Sequence, residues 1–202
     1  MKVSEIINEQ PYEHEGSMSF TVDTDLAKDF GTMSKKAIDR MYELLFTVHS
    51  DRGEEVLICK LKNHNTFFIR GMVKNDRGRF DTVYSFRAAS AEPLQIVNVK
   101  GKPIREKRVF VQDEYRNLGI ASKTYLWIIE NGFYLISDQE HFSDSKMLWK
   151  KIAGSSQTKY NVFIYDYDKG LLGSYDETND DKIWTQADDF KGFSVVLVLS
   201  AK

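Results

Sequence analysis

Polar and apolar residues alternate in short runs over much of this chain, a two-residue period that marks half-buried strands. Met18, Phe20 and Val22 alternate with polar neighbours and predict a strand over 17–23. Residues 25–41 read as helical at least in part, with Gly31 dividing them. Strands are then expected over 42–49, 55–61, 66–73, 80–87 and 94–99. Between them lie turn formers: Asp51, Arg52 and Gly53; Asn63, His64 and Asn65; and the run from Asn75 to Gly78. Closely spaced strands joined by such turns predict antiparallel hairpins. The period then changes. A short apolar strand, Val109, Phe110 and Val111, is followed by a helix over 118–130, in which Leu118, Ala121, Tyr125, Ile128 and Ile129 recur near three- and four-residue spacing. Asn131 and Gly132 are a helix stop, and Phe133 to Ser137 a further strand. A second helix is expected over 143–153, with Met147, Leu148 and Ile152 on one side, then strands over 161–165 and 193–199. No internal repeat is visible.

The junction between the strand at 109–111 and the helix carries the most chemistry. It reads Arg116, two residues, Gly119, one residue, Ala121. A loop opening directly into a helix leaves several backbone N–H groups unpaired at the positive end of the macrodipole. A pyrophosphate is well bound at such a place. Gly119 lets the backbone approach the anion, and Ala121 keeps the first turn slim. Lys123, on the next turn, is placed either to meet an outer phosphate or to stand in solvent.

Arg116, Gly119 and Ala121 fill the three fixed positions of the acyl-CoA-binding motif of the GNAT superfamily of N-acetyltransferases, and the segment resembles that motif. The order that follows, strand, motif, helix, strand, helix, strand, strand, is similar to the C-terminal half of that family, over residues 107–200. Leu135, Ile136, Ser137 and Asp138, followed by a helix carrying Leu148 and Trp149, look closest to acetyltransferase-like proteins of bacteriophages. The resemblance implies one domain over 1–202, with a GNAT-like, mostly antiparallel twisted sheet flanked by helices, a mixed α/β or α+β fold. Residues 1–105 would form an enlarged, strand-rich N-terminal half and 106–202 the acyl-CoA-binding half. It implies acetyl-CoA as co-substrate, bound by Val111, Gln112, Arg116, Asn117, Leu118, Gly119, Ile120 and Ala121. Glu114, and less so Asp113, would line the cleft as base.

In that family a tyrosine of the second helix often protonates the departing thiolate; here Trp149 stands at its position, and an indole N–H has no accessible pKa for the task. Tyr160 is the substitute we single out, ahead of Tyr165 and Tyr167. Two readings stay open. One is an N-acyltransferase, acting on a small-molecule or protein amine that the sequence does not identify. The other is a catalytically inactive binding module of the same fold, such as a phage accessory or host-takeover protein, which Trp149 and the strand-rich first half favour.

Composition narrows the alternatives only a little. The 202 residues suit a single domain, and a net charge of -2 gives no global attraction to nucleic acid or acidic membranes. Basic residues do gather locally: Lys100, Lys102, Arg105, Lys107 and Arg108 in one stretch, Arg70, Lys74, Arg77 and Arg79 in another. Acids dilute both and no RNA-binding aromatic motif accompanies them, so solvated faces are favoured over nucleic-acid contact. The single cysteine, Cys59, sits in an apolar run and reads as a buried thiol. His14, His49, His64 and His141 lack metal-ligand spacing, and Asp166 to Gly170 lacks the later glutamate of a calcium loop, so no metal is expected. The acids over 176–189 read as a solvated loop or a selector of basic partners. The first residues carry acids too early for a signal peptide and no apolar run reaches spanning length, so a cytoplasmic protein is expected. The sequence leaves the oligomeric state open.

Overall fold

The computed structural model describes residues 31–50, 52–62, 67–138, 143–156, 159–176 and 194–202. The strand expected over 17–23 lies outside the described residues, as do His14, His64, His141 and most of the acid-rich stretch. The first elements are a two-residue strand β1 (Thr32–Met33) and a helix α1 (Lys35–Met41). Ser34 caps α1, its side chain accepting from the Ala37 N–H at 3.3 Å. Within the range expected to be helical, only these seven described residues are, because Thr32 and Met33 pair instead with Asp81 and Phe80.

A meander follows: β2 (Tyr42–His49), β3 (Glu55–Leu61), β4 (Phe67–Lys74) and β5 (Phe80–Ser90), each antiparallel to the one before. The first two match the expected bounds, since alternation and turn residues are both strong there. Residues 94–99 are not a strand. Pro93 precedes them, Asn98 takes a left-handed φ of 69°, and the stretch turns on itself, the Ile96 N–H donating to the Leu94 carbonyl at 2.9 Å. Its apolar residues are nevertheless used, because Leu94, Ile96 and Val99 pack on the sheet.

The second half is built on β6 (Lys102–Val111), much longer than the three apolar residues that announced it. A 3-10 turn (Asp113–Tyr115) leads to α2 (Ile120–Glu130), then β7 (Phe133–Ile136), α3 (Ser143–Ser156), β8 (Tyr160–Asp166), β9 (Gly170–Ser174) and β10 (Val195–Ala201). Strand β9 was not foreseen: Gly170 and Gly173 obscure the alternation, and both hold positive φ. Among the described side chains of α3, Trp149, Ile152 and Ala153 are buried, whereas Met147 is 64% exposed. The apolar stripe is thus anchored by the tryptophan rather than by Met147.

Among the described residues ten strands form one sheet in the order β2-β3-β4-β5-β6-β7-β10-β8-β9, with β1 beside β5. The fold is mixed α+β and strand-rich. All pairs are antiparallel except β6 and β7, which α2 joins as a parallel crossover. Helices α2 and α3 cover one face, where Tyr125, Ile128, Trp149 and Ile152 meet Phe86, Ile104 and Leu135 in the main core. On the other face α1 covers Leu57, Cys59 and Met72, while the 91–100 segment covers Tyr134, Ile136 and Val198. Cys59 is buried as expected, and desolvation pushes its thiol up to about 11.

Candidate functional site

Strand β6 is held on both sides only at its start. Against β7 the register runs Lys102↔Phe133 to Arg105↔Ile136 and stops. Against β5 it continues to Tyr84↔Val111. The side of β6 that faces β7 therefore has no strand partner from Glu106 to Val111 among the described residues. β7 ends at Ile136, and Ser137 after it is tied to β10: its N–H donates to the Leu197 carbonyl at 2.8 Å and its Oγ accepts from the Leu197 N–H at 2.9 Å. Lys107 is an extra residue in β6, opposite the Arg87–Ala88 step of β5.

β6 runs directly into the loop. Gln112 ends the ladder with β5, its N–H donating to the Val83 carbonyl at 2.9 Å and its Nε2 to the Thr82 carbonyl at 3.0 Å. Its own carbonyl accepts from the Tyr115 N–H at 2.9 Å, so both backbone groups of Gln112 are engaged and Val111 is the more available of the two. Asn117 at φ 64° and Gly119 at φ 71° then turn the chain into α2. The helix has no side-chain cap. Lys123 is the first N–H to reach a helical acceptor, the Gly119 carbonyl at 2.9 Å, and those of Ile120, Ala121 and Ser122 precede it unserved. No atom lies within 4 Å of where a Cβ on Gly119 would be. Positive φ, free N–H groups and empty space meet at one point, which suits a pyrophosphate. Leu118 packs on the main core and fixes the loop's base, while the Arg116 side chain pairs with Asp113 at 2.8 Å.

The proposed proton carriers fall in different places. Glu114 stands exposed on the 3-10 turn. Tyr160 is at the start of β8, where its hydroxyl donates to Glu130 at 2.5 Å. Glu130 is the last residue of α2, ten residues and about 15 Å along the axis from Ile120, so the structure does not bring Tyr160 to the loop. Desolvation, with Glu130 adding to it, pushes Tyr160 up to about 12, which makes it a reluctant proton donor. Trp149 is fully buried, its ring edge-on to Tyr125 with centroids 5.6 Å apart.

Sequence reasoning missed Glu106. It sits where β6 leaves β7, 5% exposed, accepting from the Tyr125 hydroxyl at 2.6 Å. Burial raises its pKa to about 7; the Tyr125 hydrogen bond lowers it, and Asp138 raises it further. Around the pair are three more buried polar groups, the Tyr84 hydroxyl, the Thr124 hydroxyl and the Trp149 indole N–H; the two hydroxyls lie within reach of each other, and the indole N–H has no hydrogen bond. A charged run from Arg105 to Arg108 looked like solvated surface; the usable signal was that Glu106 shares the strand face of Ile104, two residues earlier.

No family model, curated protein or solved structure matches the chain. No helix among the described residues is long and apolar enough to cross a membrane.

Proposed function

We propose that the chain is an acyl-CoA-dependent N-acyltransferase of the GNAT kind, transferring an acetyl group from acetyl-CoA to an amine. One observation carries the reading: the β6–β7 ladder ends at Arg105 while β6 runs on to Val111, with no further strand beside it on that side among the described residues, and leads to an uncapped helix N-terminus behind Gly119. A thioester needs a channel for its arm and a cradle for its pyrophosphate, and here one leads to the other. The chain order from β6 through α2, β7, α3 and β8 to β10 also agrees with the resemblance of the motif, with β9 as an addition.

Acetyl-CoA would supply the acyl carbonyl. Leu118 to Ala121 present N–H groups to its phosphates, and the part of β6 beyond its ladder with β7 lies along its arm. As an amine attacks, the carbonyl oxygen gains negative charge, and a fixed N–H on the open side of β6 offsets it without reorganisation. The amine must lose a proton. Glu106 takes this role in place of Glu114, because its carboxyl is held at the opening with a pKa near neutrality, where a base works best.

The fully buried Trp149 favours the second reading, a binding module without turnover, since α3 offers no hydroxyl at that position. Calorimetry with acetyl-CoA separates the two. Micromolar binding by the wild type, lost in Gly119→Glu, supports the enzyme, because that carboxylate would occupy the anion's place. A wild type with no affinity for acetyl-CoA leaves the loop a plain strand-to-helix turn and sinks the acyltransferase.

A further inference from the structure

Tyr125 lies in the second turn of α2, about 7.5 Å along the axis from Ile120. One helix therefore carries the N–H groups behind Gly119 at its start and a buried phenol little more than a turn further on. The phenol has no room to swing. It is fully buried, with Phe86 of β5 edge-on at 5.7 Å between ring centres and Trp149 of α3 edge-on at 5.6 Å. Its hydroxyl donates to Oε2 of Glu106 at 2.6 Å, and no hydrogen bond reaches the other carboxyl oxygen among the described residues. One oxygen is held and the other is left to act.

A core contact of this kind does not need an acid. Burying a carboxyl costs desolvation that a glutamine would escape, since an amide oxygen also accepts from a phenol. The other groups around Glu106 do not offset that cost. Asp138, past the end of β7, adds a like charge, and the Tyr84 hydroxyl of β5 lies beside Thr124 instead. No ion pair reaches the carboxyl among the described residues. The Tyr125 hydroxyl is the neighbour that favours its ionised form. Burial pushes the Tyr84 and Tyr125 hydroxyls up, so both stay neutral around pH 7 and Tyr125 remains a donor.

We propose that Tyr125 is the positioning residue of Glu106: braced by Phe86 and Trp149, it holds one carboxyl oxygen and leaves the other, ionised, to take the proton of the acceptor amine. In that step the amine N–H bond breaks, an O–H bond forms on Glu106, and Tyr125 keeps its own proton. The buried Trp149 thereby gains a task, since its ring braces the phenol that holds the base. The amine rests on the acyltransferase reading, whereas the hold on the carboxyl is tested apart from it.

The readout is the infrared band of the protonated carboxyl that disappears in Glu106→Gln, titrated from about pH 5 to about pH 9. It is compared in the wild type, Tyr125→Phe and Tyr125→3-fluorotyrosine, with Tyr84→Phe as the control. The wild-type midpoint should lie at about 7. Tyr125→Phe removes the donor and keeps the ring, so the midpoint should rise by about one pH unit, leaving about a tenth of the carboxyl ionised at pH 7 instead of about half. Fluorine makes the phenol a stronger donor, so that midpoint should fall. Tyr84→Phe should leave it in place. Acetyl-CoA affinity, measured by calorimetry, should stay within about threefold of wild type in all three, since the cradle is untouched. A midpoint in Tyr125→Phe equal to the wild type overturns the proposal, as does an equal shift in Tyr84→Phe. A loss of acetyl-CoA affinity of about tenfold or more in Tyr125→Phe also overturns it, because the phenol would then be a strut of the whole helix. Should Tyr125→Phe fail to fold, the fluorinated protein decides by the direction of its midpoint. A wild type without affinity for acetyl-CoA, whose midpoint still moves with Tyr125, removes the acyltransferase and leaves the hold on a buried acid.

Discussion

The meander β2 to β5 and the crossover β6 to β7 are made of similar residues but close their backbones differently. In the meander each strand pairs with its sequence neighbour for most of its length, and single-residue irregularities, such as the one between Leu44 and Phe46, are the only breaks. In the crossover the chain leaves β6, builds α2 and returns to pair four residues. Beyond that short ladder lie the rest of β6, the first turn of α2 and the buried Glu106 carboxyl held by Tyr125. The difference is one of backbone pairing rather than of side chains, since the meander too buries a hydroxyl without a hydrogen bond, that of Ser85.

The largest test of this contrast is Trp149, which follows the crossover on α3 and packs in the core against Tyr125 of the crossover helix. Trp149→Ala should cost about 3–5 kcal/mol through lost burial and a cavity. Trp149→Phe keeps the contact with Tyr125 and removes an N–H that has no partner, so its stability should stay close to wild type. Both proteins, where folded, should bind acetyl-CoA as the wild type does. Denaturant unfolding and calorimetry measure the two effects, and a clear loss of acetyl-CoA affinity in Trp149→Phe would move the ring from the core to the cleft.

Glu106 comes next. Its pKa is raised by folding from 4.5 to about 7, so the fold prefers the neutral acid. The stabilisation this gives is complete below about pH 4.5 and is lost as pH rises through 7, a change on the order of 3 kcal/mol. Glu106→Gln stays neutral and should show no such slope between pH 4.5 and 8. Denaturant midpoints measured across that window check it; equal slopes in the two proteins would mean that the carboxyl is hydrated. No meander residue is expected to give a slope of this size, since Glu106 is the carboxyl among the described residues whose pKa burial raises.

How much of this was legible follows the same division. The bounds of β2 and β3 were readable because their information is local: alternation within the strand and turn residues at its ends. The loop from Arg116 to Ala121 was readable because glycine spacing and the period change sit side by side in sequence. Glu106 was not, because its burial is created by Tyr125, nineteen residues away on α2, and by the ending of β7. Residues 94–99 misled because buried apolar residues can be delivered by turns as well as by a strand.

Two glycines sharpen the comparison at a smaller scale. A Cβ on Gly71 in β4 would lie 2.7 Å from the Tyr84 Cβ and 3.1 Å from Ile58, so Gly71→Ala overpacks the meander and should cost about 1–3 kcal/mol. A Cβ on Gly119 meets nothing, and Gly119→Ala should cost about 1 kcal/mol from its left-handed backbone alone. Thermal unfolding ranks the pair. A larger loss at Gly119 than at Gly71 would show that the loop is packed rather than open.

The smallest effect is expected at the most conspicuous residue of the motif. Arg116 pairs with Asp113 at 2.8 Å, but both side chains are about half exposed, at 48% and 50%, and an ion pair in that setting contributes about 0–1 kcal/mol. Arg116→Ala should therefore leave the melting temperature within a degree or two of wild type. Its acetyl-CoA affinity should fall by less than about threefold, because the N–H groups of Leu118 to Ala121 hold the pyrophosphate and a charge already turned toward Asp113 adds little. Calorimetry on this variant beside Gly119→Glu sets the loop's backbone against its side chain. A loss of tenfold or more in Arg116→Ala would mean that the guanidinium leaves Asp113 for the phosphate, and that the cradle is made by charge rather than by the turn at Gly119.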